Sequence, residues 1–178
     1  GAHEQYLWDT GWHYGEWLEG DETLDQAIGN ALTADPAPVA TAYLHRSARE
    51  LADIARLLDR SVDAARYADV AAKAADAWRT EFLAADGTTT PDTQATYVRG
   101  LAFGLIPDDL RSAAAARLVQ LIREADTHLS TGFLATPYLL PVLADTGHLE
   151  VAYDLLFQDT EPSWLVMIDR GATTVWEE

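Results

Sequence analysis

Near the start of the chain, Trp8, Trp12, Tyr14 and Trp17 are interleaved with Asp9, Glu16, Glu19, Asp21 and Glu22, with no Lys or Arg among them. Flat aromatic faces beside carboxylates suit a neutral sugar. The ring stacks on the C–H face of a pyranose, and carboxylates accept hydroxyl hydrogens or act on a glycosidic bond. The same residues also serve as core or interface anchors beside a solvated acidic loop, which is the commoner role of buried Trp and acidic loops, and the residues alone leave both readings open.

A second cluster closes the chain. Ser163, Trp164, Asp169, Arg170, Thr173, Thr174, Trp176 and Glu177 crowd together, and Gly171 permits a turn that could aim a side chain into a cleft. A carboxylate next to a Trp suits a general base; alternatively, Asp169 pairs with Arg170 and the closing Glu residues form a solvated end. Other chemistries find no support. His3, His13, His45, His128 and His148 lack metal-ligand spacing, there is no Cys, and neither a Gly-x-Ser-x-Gly elbow nor a phosphate-cradling Gly-x4-Gly-Lys loop occurs. No metal and no cofactor is expected.

Charge removes further classes. Twelve Lys+Arg against 29 Asp+Glu give a formal charge of −17, and a surface of that sign repels nucleic acid and anionic membranes. A hydrophobic fraction of 48% with six Trp and seven Tyr is too apolar for a disordered acidic tail, so the 178 residues are expected to fold as a single domain with a real core. No apolar run approaches the ~20 residues of a membrane span. An opening on Gly-Ala-His without an initiator Met fits a processed or excised segment.

The elements that must position these clusters read as helices. Residues 1–35 form an aromatic, acidic opening with few helical periods, and residues 36–178 form helical hairpins. From Val39 to Leu58 the set Leu44, Ala48, Leu51, Ala55 and Leu58 predicts one amphipathic face. Ser61 is the expected N-cap of a second helix whose face is Tyr67, Ala71, Ala75, Trp78 and Phe82, ended by Asp86-Gly87. Further helices are expected from near Asp92 to Gly104, from Asp108 or Asp109 through Leu121, over 136–145 and over 148–158, with Pro162 starting a short last one. They pair as hairpins over about residues 39–84, 93–125 and 136–158, with no alternating β pattern. The expectation is an all-α array.

Three stretches, in order over nearly the whole chain, carry a family resemblance: YGEWL (Tyr14 to Leu18), THLSTGFLATPYLLPVLADTGH (Thr127 to His148) and PSWLVMIDRGATTVWE (Pro162 to Glu177). Together they resemble the catalytic domain of bacterial α-L-rhamnosidases of the glycoside hydrolase family 78 type. TGF-x-x-TPYLLP followed by PSW and GATT-x-WE is the specific part. The resemblance implies an (α/α)6 barrel, the six-hairpin glycosidase architecture, of which this chain is a C-terminal part amounting to about half. It also implies inverting hydrolysis of terminal α-L-rhamnosyl groups from plant glycosides or polysaccharides, hence a carbohydrate partner. In GATTVWE the family's general base falls on Glu177. Trp17 is implied as a wall of the sugar pocket, with Trp12, Trp176 and the Thr131-Gly132 turn nearby.

The departures from the family pattern set further expectations. The general acid of the family lies upstream of YGEWL and has no counterpart in residues 1–13, so the chain taken alone is expected to be inactive. Half a ring exposes apolar surface, which predicts self-association or a self-paired concave face. The alternatives are an (α/α)6 glycosidase for another sugar and a non-catalytic helical binding scaffold. Eleven Arg to a single Lys fit a high-GC bacterial genome, and cytoplasmic and secreted locations are equally compatible.

Overall fold

The computed structural model of the chain describes residues 6–12, 15–17 and 23–176. Its helices are α1 (Leu24–Thr33), α2 (Ala37–Leu57), α3 (Ser61–Phe82), α4 (Gln94–Ala102), α5 (Arg111–Glu124), α6 (Thr136–Asp145), α7 (Leu149–Leu156) and α8 (Trp164–Asp169). Helices α2/α3, α4/α5 and α6/α7 pack as the three expected hairpins. Among the described residues the sole bridge outside helices joins Leu83 to Thr89 across the Asp86-Gly87 turn.

The pairing of α2 with α3 is the most extensive, and small side chains explain it. Ala42, Ala48, Ala52 and Ala55 of α2 and Ala64, Ala71, Ala74 and Ala75 of α3 are all buried, so the two backbones approach closely at no side-chain entropy cost. His45 sits in this seam. Its Nδ1 lies 2.9 Å from the Ala71 carbonyl oxygen and its Nε2 3.0 Å from that of Phe103, which ties α2 both to α3 and to the turn after α4.

Helix α4 is enclosed on nearly every side, from Gln94 through Leu101, and touches α2, α5 and α6. Buried polar groups on such a helix must find partners. Thr93 caps it by accepting the Thr96 N–H. The Gln94 amide bridges to the loop after α5: Nε2 donates to the His128 carbonyl at 3.1 Å, and Oε1 accepts the Ser130 N–H at 3.0 Å. Gly100 lets α4 lie against its neighbours, since a Cβ there would meet Ile106 Cδ1 at 2.8 Å. Around α4 close Trp78, Phe103, Leu105, Ile106, Leu118, Leu139 and Leu143, with the Trp78 indole N–H donating to the Pro38 carbonyl at 3.0 Å.

Several expectations need correction. The buried stripe of α2 is rotated from the expected one, to Thr41, Ala42, His45, Ala48, Ala52 and Ala55, leaving Leu51 and Leu58 exposed. Leucines facing α3 would hold the helices apart, so the alanines take the inner face. On α3 the expected face is buried except for half-buried Tyr67. Ser61 is the first residue of α3, whose N-cap is Arg60, and α3 ends at Phe82, before Asp86-Gly87. Helix α5 starts at Arg111, after a turn over 108–110. Helix α8 starts at Trp164 rather than Pro162, because Ser163 supplies the cap by accepting the Val166 N–H. Finally, the opening segment holds α1, begun by a capping box between Thr23 and Gln26.

Candidate functional site

The aromatic opening segment docks on the loop between α5 and α6. Glu16 forms an ion pair with Arg99 of α4, and both side chains are almost fully withdrawn from solvent, at 6% and 3% exposure. The other Glu16 oxygen, Oε1, accepts the Ala135 N–H at 3.0 Å, and the next residue's carbonyl, that of Trp17, accepts the Phe133 N–H at 3.1 Å. Gly132 makes this approach feasible. A Cβ there would overlap the Trp17 carbonyl oxygen and meet Glu16 Cγ and Oε1 at 2.9 Å. Burial pulls the Arg99 guanidinium down to about 10, which still leaves it protonated at neutral pH opposite Glu16.

The same loop also borders a cavity of about 650 Å³, between the first turn of α6, α8 and the chain's last described residues. Thr131, Phe133, Pro137, Trp164, Met167 and Trp176 are among its lining residues. Several polar groups of the lining are engaged with one another. The Thr131 and Thr136 hydroxyls lie 2.7 Å apart, and Thr136 Oγ1 also donates to the carbonyls of Thr131 and Gly132. At the rim, Arg170 forks Glu161, with Nη1–Oε1 at 2.6 Å and Nη2–Oε2 at 3.0 Å, and holds that carboxyl below the usual carboxylate range. Such a carboxylate is a poor proton donor, which is the opposite of what a general acid requires. The tail is anchored where the Trp176 N–H donates to Met167 Sδ at 3.3 Å.

Of the residues singled out from the sequence, Thr131 and Trp176 both line this cavity. Trp17 is half-buried, with its carbonyl bonded to the Phe133 N–H of the same loop, and is not among the cavity's lining residues. Trp12 is 62% exposed and is not among the cavity's lining residues. Glu177 lies outside the described residues, as do His13, Tyr14, Leu18 and Glu19. In the sequence Glu16 stands out only as a member of the acidic cluster and of the YGEWL stretch, and nothing there pairs it with Arg99. A signal for Arg99 was present: it is the one charged residue in the stretch from Gln94 to Ile106. Among the described residues no group of three or more His, Cys, Asp or Glu is placed to hold a metal ion, and no helix is long and apolar enough to cross a membrane.

Comparison with known proteins places this geometry. An α-L-rhamnosidase of Streptomyces avermitilis is 50% identical over 165 residues, and one from an Alteromonas species is 37% identical over 166 residues; each alignment takes in 92% of this chain. The chain spans only 15% and 18% of those two proteins' lengths. Among solved structures, the S. avermitilis α-L-rhamnosidase complexed with L-rhamnose superposes with a TM-score of 0.85 at 45% identity, covering 99% of this chain and 16% of that one. The native α-L-rhamnosidase of Aspergillus terreus superposes with a TM-score of 0.90 at 30% identity, covering 99% and 20%. The bacterial α-L-rhamnosidase six-hairpin glycosidase domain matches residues 2–178, essentially end to end, and the chain belongs to that family.

Proposed function

We propose that this chain is part of an inverting glycoside hydrolase that releases terminal α-L-rhamnose from glycosides or polysaccharides. The observation that carries the reading is the 45% identity, over nearly the whole chain, to a structure determined with L-rhamnose bound. In this reading Glu177 is the general base, activating water on one face of the sugar ring. The general acid stands about 6.5–9.5 Å away on the other face, as inversion requires. Trp17 is an aromatic wall for the sugar's C–H face, and Trp12, Trp176 and the Thr131-Gly132 turn stand near it among the sugar-binding residues.

The isolated 178 residues are proposed to be inactive. Of the carboxylates nearest the clamped loop, Glu161 is tied to Arg170 and Glu16 to Arg99 with both oxygens accepting, so neither offers a proton to a leaving group. A base without its acid forfeits about 10²–10⁴ in rate. The test compares the full polypeptide carrying this chain with the isolated chain on an aryl α-L-rhamnoside, beside a panel of other aryl glycosides. The full polypeptide should cleave the rhamnoside selectively and lose that activity with Glu177→Gln, while the isolated chain stays silent. Turnover of another glycoside in preference, or full activity of Glu177→Gln, overturns the reading.

A further inference from the structure

Three features compete for a role beyond this reading. The apolar cavity belongs to the site already described. The exposed stack of Tyr153 on Phe157, with ring centroids 5.9 Å apart, has nothing beside it that names an occupant. The third feature is the buried clamp that fixes the opening segment.

That clamp is more elaborate than docking a loop requires. One carboxylate holds two elements at once, the guanidinium of an enclosed helix and the backbone N–H at the N-cap of α6. The residue after it accepts from Phe133, and Gly132 is the one residue type that leaves room for that carbonyl. A neutral side chain could dock the same segment with less desolvation. A charged pair, by contrast, fixes direction and distance, because either charge left alone in the interior is strongly unfavourable. What it fixes is the placement of Trp17 relative to Phe133, the residue whose N–H bonds the Trp17 carbonyl and which also lines the cavity.

We infer that Glu16 and Arg99 are positioning residues for sugar binding, setting the Trp17 segment against the Thr131–Ala135 loop and with it the geometry of the rhamnose-facing wall. The inference rests on the glycosidase reading above. Neither side chain touches sugar; both act through Trp17 and the loop. Contacts of a wall with bound sugar are made in the ground state as well as the transition state, so misplacing the wall raises KM more than it lowers kcat.

The experiment uses the full polypeptide carrying this chain, with Glu16→Gln, the double variant Glu16→Gln/Arg99→Gln, and Asp92→Asn as a control that breaks the Asp92–Arg117 ion pair, which shares no residue with the clamp. Titration calorimetry with L-rhamnose and steady-state kinetics on an aryl α-L-rhamnoside are read well below each variant's melting point. Glu16→Gln should weaken L-rhamnose binding and raise KM by about tenfold or more, the equivalent of one lost wall contact, with kcat changed far less. The control should match the parent. Should Glu16→Gln fail to fold, the double variant, which leaves no lone buried charge, reads the same quantities. Unchanged KM and L-rhamnose affinity in a folded clamp variant overturn the inference. A parent that neither binds L-rhamnose nor cleaves the rhamnoside overturns the glycosidase reading, and the inference with it.

Discussion

Glu16 and Arg99 stand 83 residues apart in sequence and meet as an ion pair whose side chains are almost entirely closed off from water. Removing one partner strands the other charge, at a cost of about 3–5 kcal/mol, whereas removing both is far milder. Arg99→Met alone should therefore destabilise the chain more than Arg99→Met combined with Glu16→Gln. Urea unfolding of both variants measures the difference. A double variant that loses as much as Arg99→Met alone, or more, would mean that removing Glu16 relieves no stranded charge.

Gly132 makes a sharper case of the same packing. A methyl added there collides with backbone, the Trp17 carbonyl, as well as with the Glu16 side chain, and backbone gives way less readily than a side-chain tip. Gly132→Ala should cost about 1–3 kcal/mol or more through overpacking and a lost hydrogen bond to the Phe133 N–H. Gly29→Ala is the opposite case. It lies inside α1 with nothing within 4 Å of an added Cβ, and it should stabilise by about 0.5–1 kcal/mol. Melting curves that rank the two variants together contradict this account of Gly132.

Acid should weaken the fold through three carboxyls held below their usual range, of which Asp86 is lowered by the hydroxyl and the N–H of Thr88. The Arg117 guanidinium, 2.7 Å from Asp92 Oδ2, and the Tyr97 hydroxyl lower Asp92, and Arg170 lowers Glu161. Below an ordinary carboxylate value of about 4 the unfolded chain binds protons that the folded chain still refuses. The stabilisation is therefore complete above about pH 4 and is lost as pH falls through the depressed folded values. Solvent screening keeps the Asp92 share to at most about 1 kcal/mol. Asp92→Asn should flatten the fall of the urea midpoint between neutral pH and about pH 3 without reversing it. An unaltered slope in that variant assigns the acid sensitivity elsewhere.

The hairpins were legible because their signals are local. Apolar spacing marked α3, Gly104 and Pro107 marked the end of α4, and Pro137 marked the first turn of α6. Misplaced features depend on what a residue meets across space. The face of α2 followed its leucines in the sequence and its alanines in the fold, because close approach to α3 rewards small side chains over large ones. Helix α1 is short and follows a stretch dense in Trp and acid, so its local signals, the Thr23–Gln26 capping box and Leu24, Ile28 and Leu32 recurring every four residues, stand out less than those of the longer helices. The clamp itself was invisible. A Glu and an Arg so far apart announce nothing until three elements bring them together, and Gly132 reads as an ordinary turn glycine until the Trp17 carbonyl lies against it.

The corner where α2 turns into α3 predicts how the isolated chain behaves in solution. Leu57, Leu58 and Val62 are 84%, 64% and 82% exposed there, with Leu51 and Ile54 half-open beside them on α2. Burying one such side chain against another molecule is worth about 1.5–3 kcal/mol, so a few of them suffice to drive association. A net charge of −17 opposes it, since copies of the chain repel one another. That repulsion is screened once the Debye length falls to about 8 Å at physiological ionic strength, while the apolar attraction is not weakened by salt. The isolated chain should consequently associate more strongly as salt is added, contrary to an assembly held by ion pairs. Leu57→Lys combined with Val62→Lys should return it to monomer with its helix content intact, because neither side chain is packed in the fold. Sedimentation velocity at low and high salt decides the matter: a chain monomeric under both conditions, or one that dissociates with salt, shows that this corner does not drive assembly.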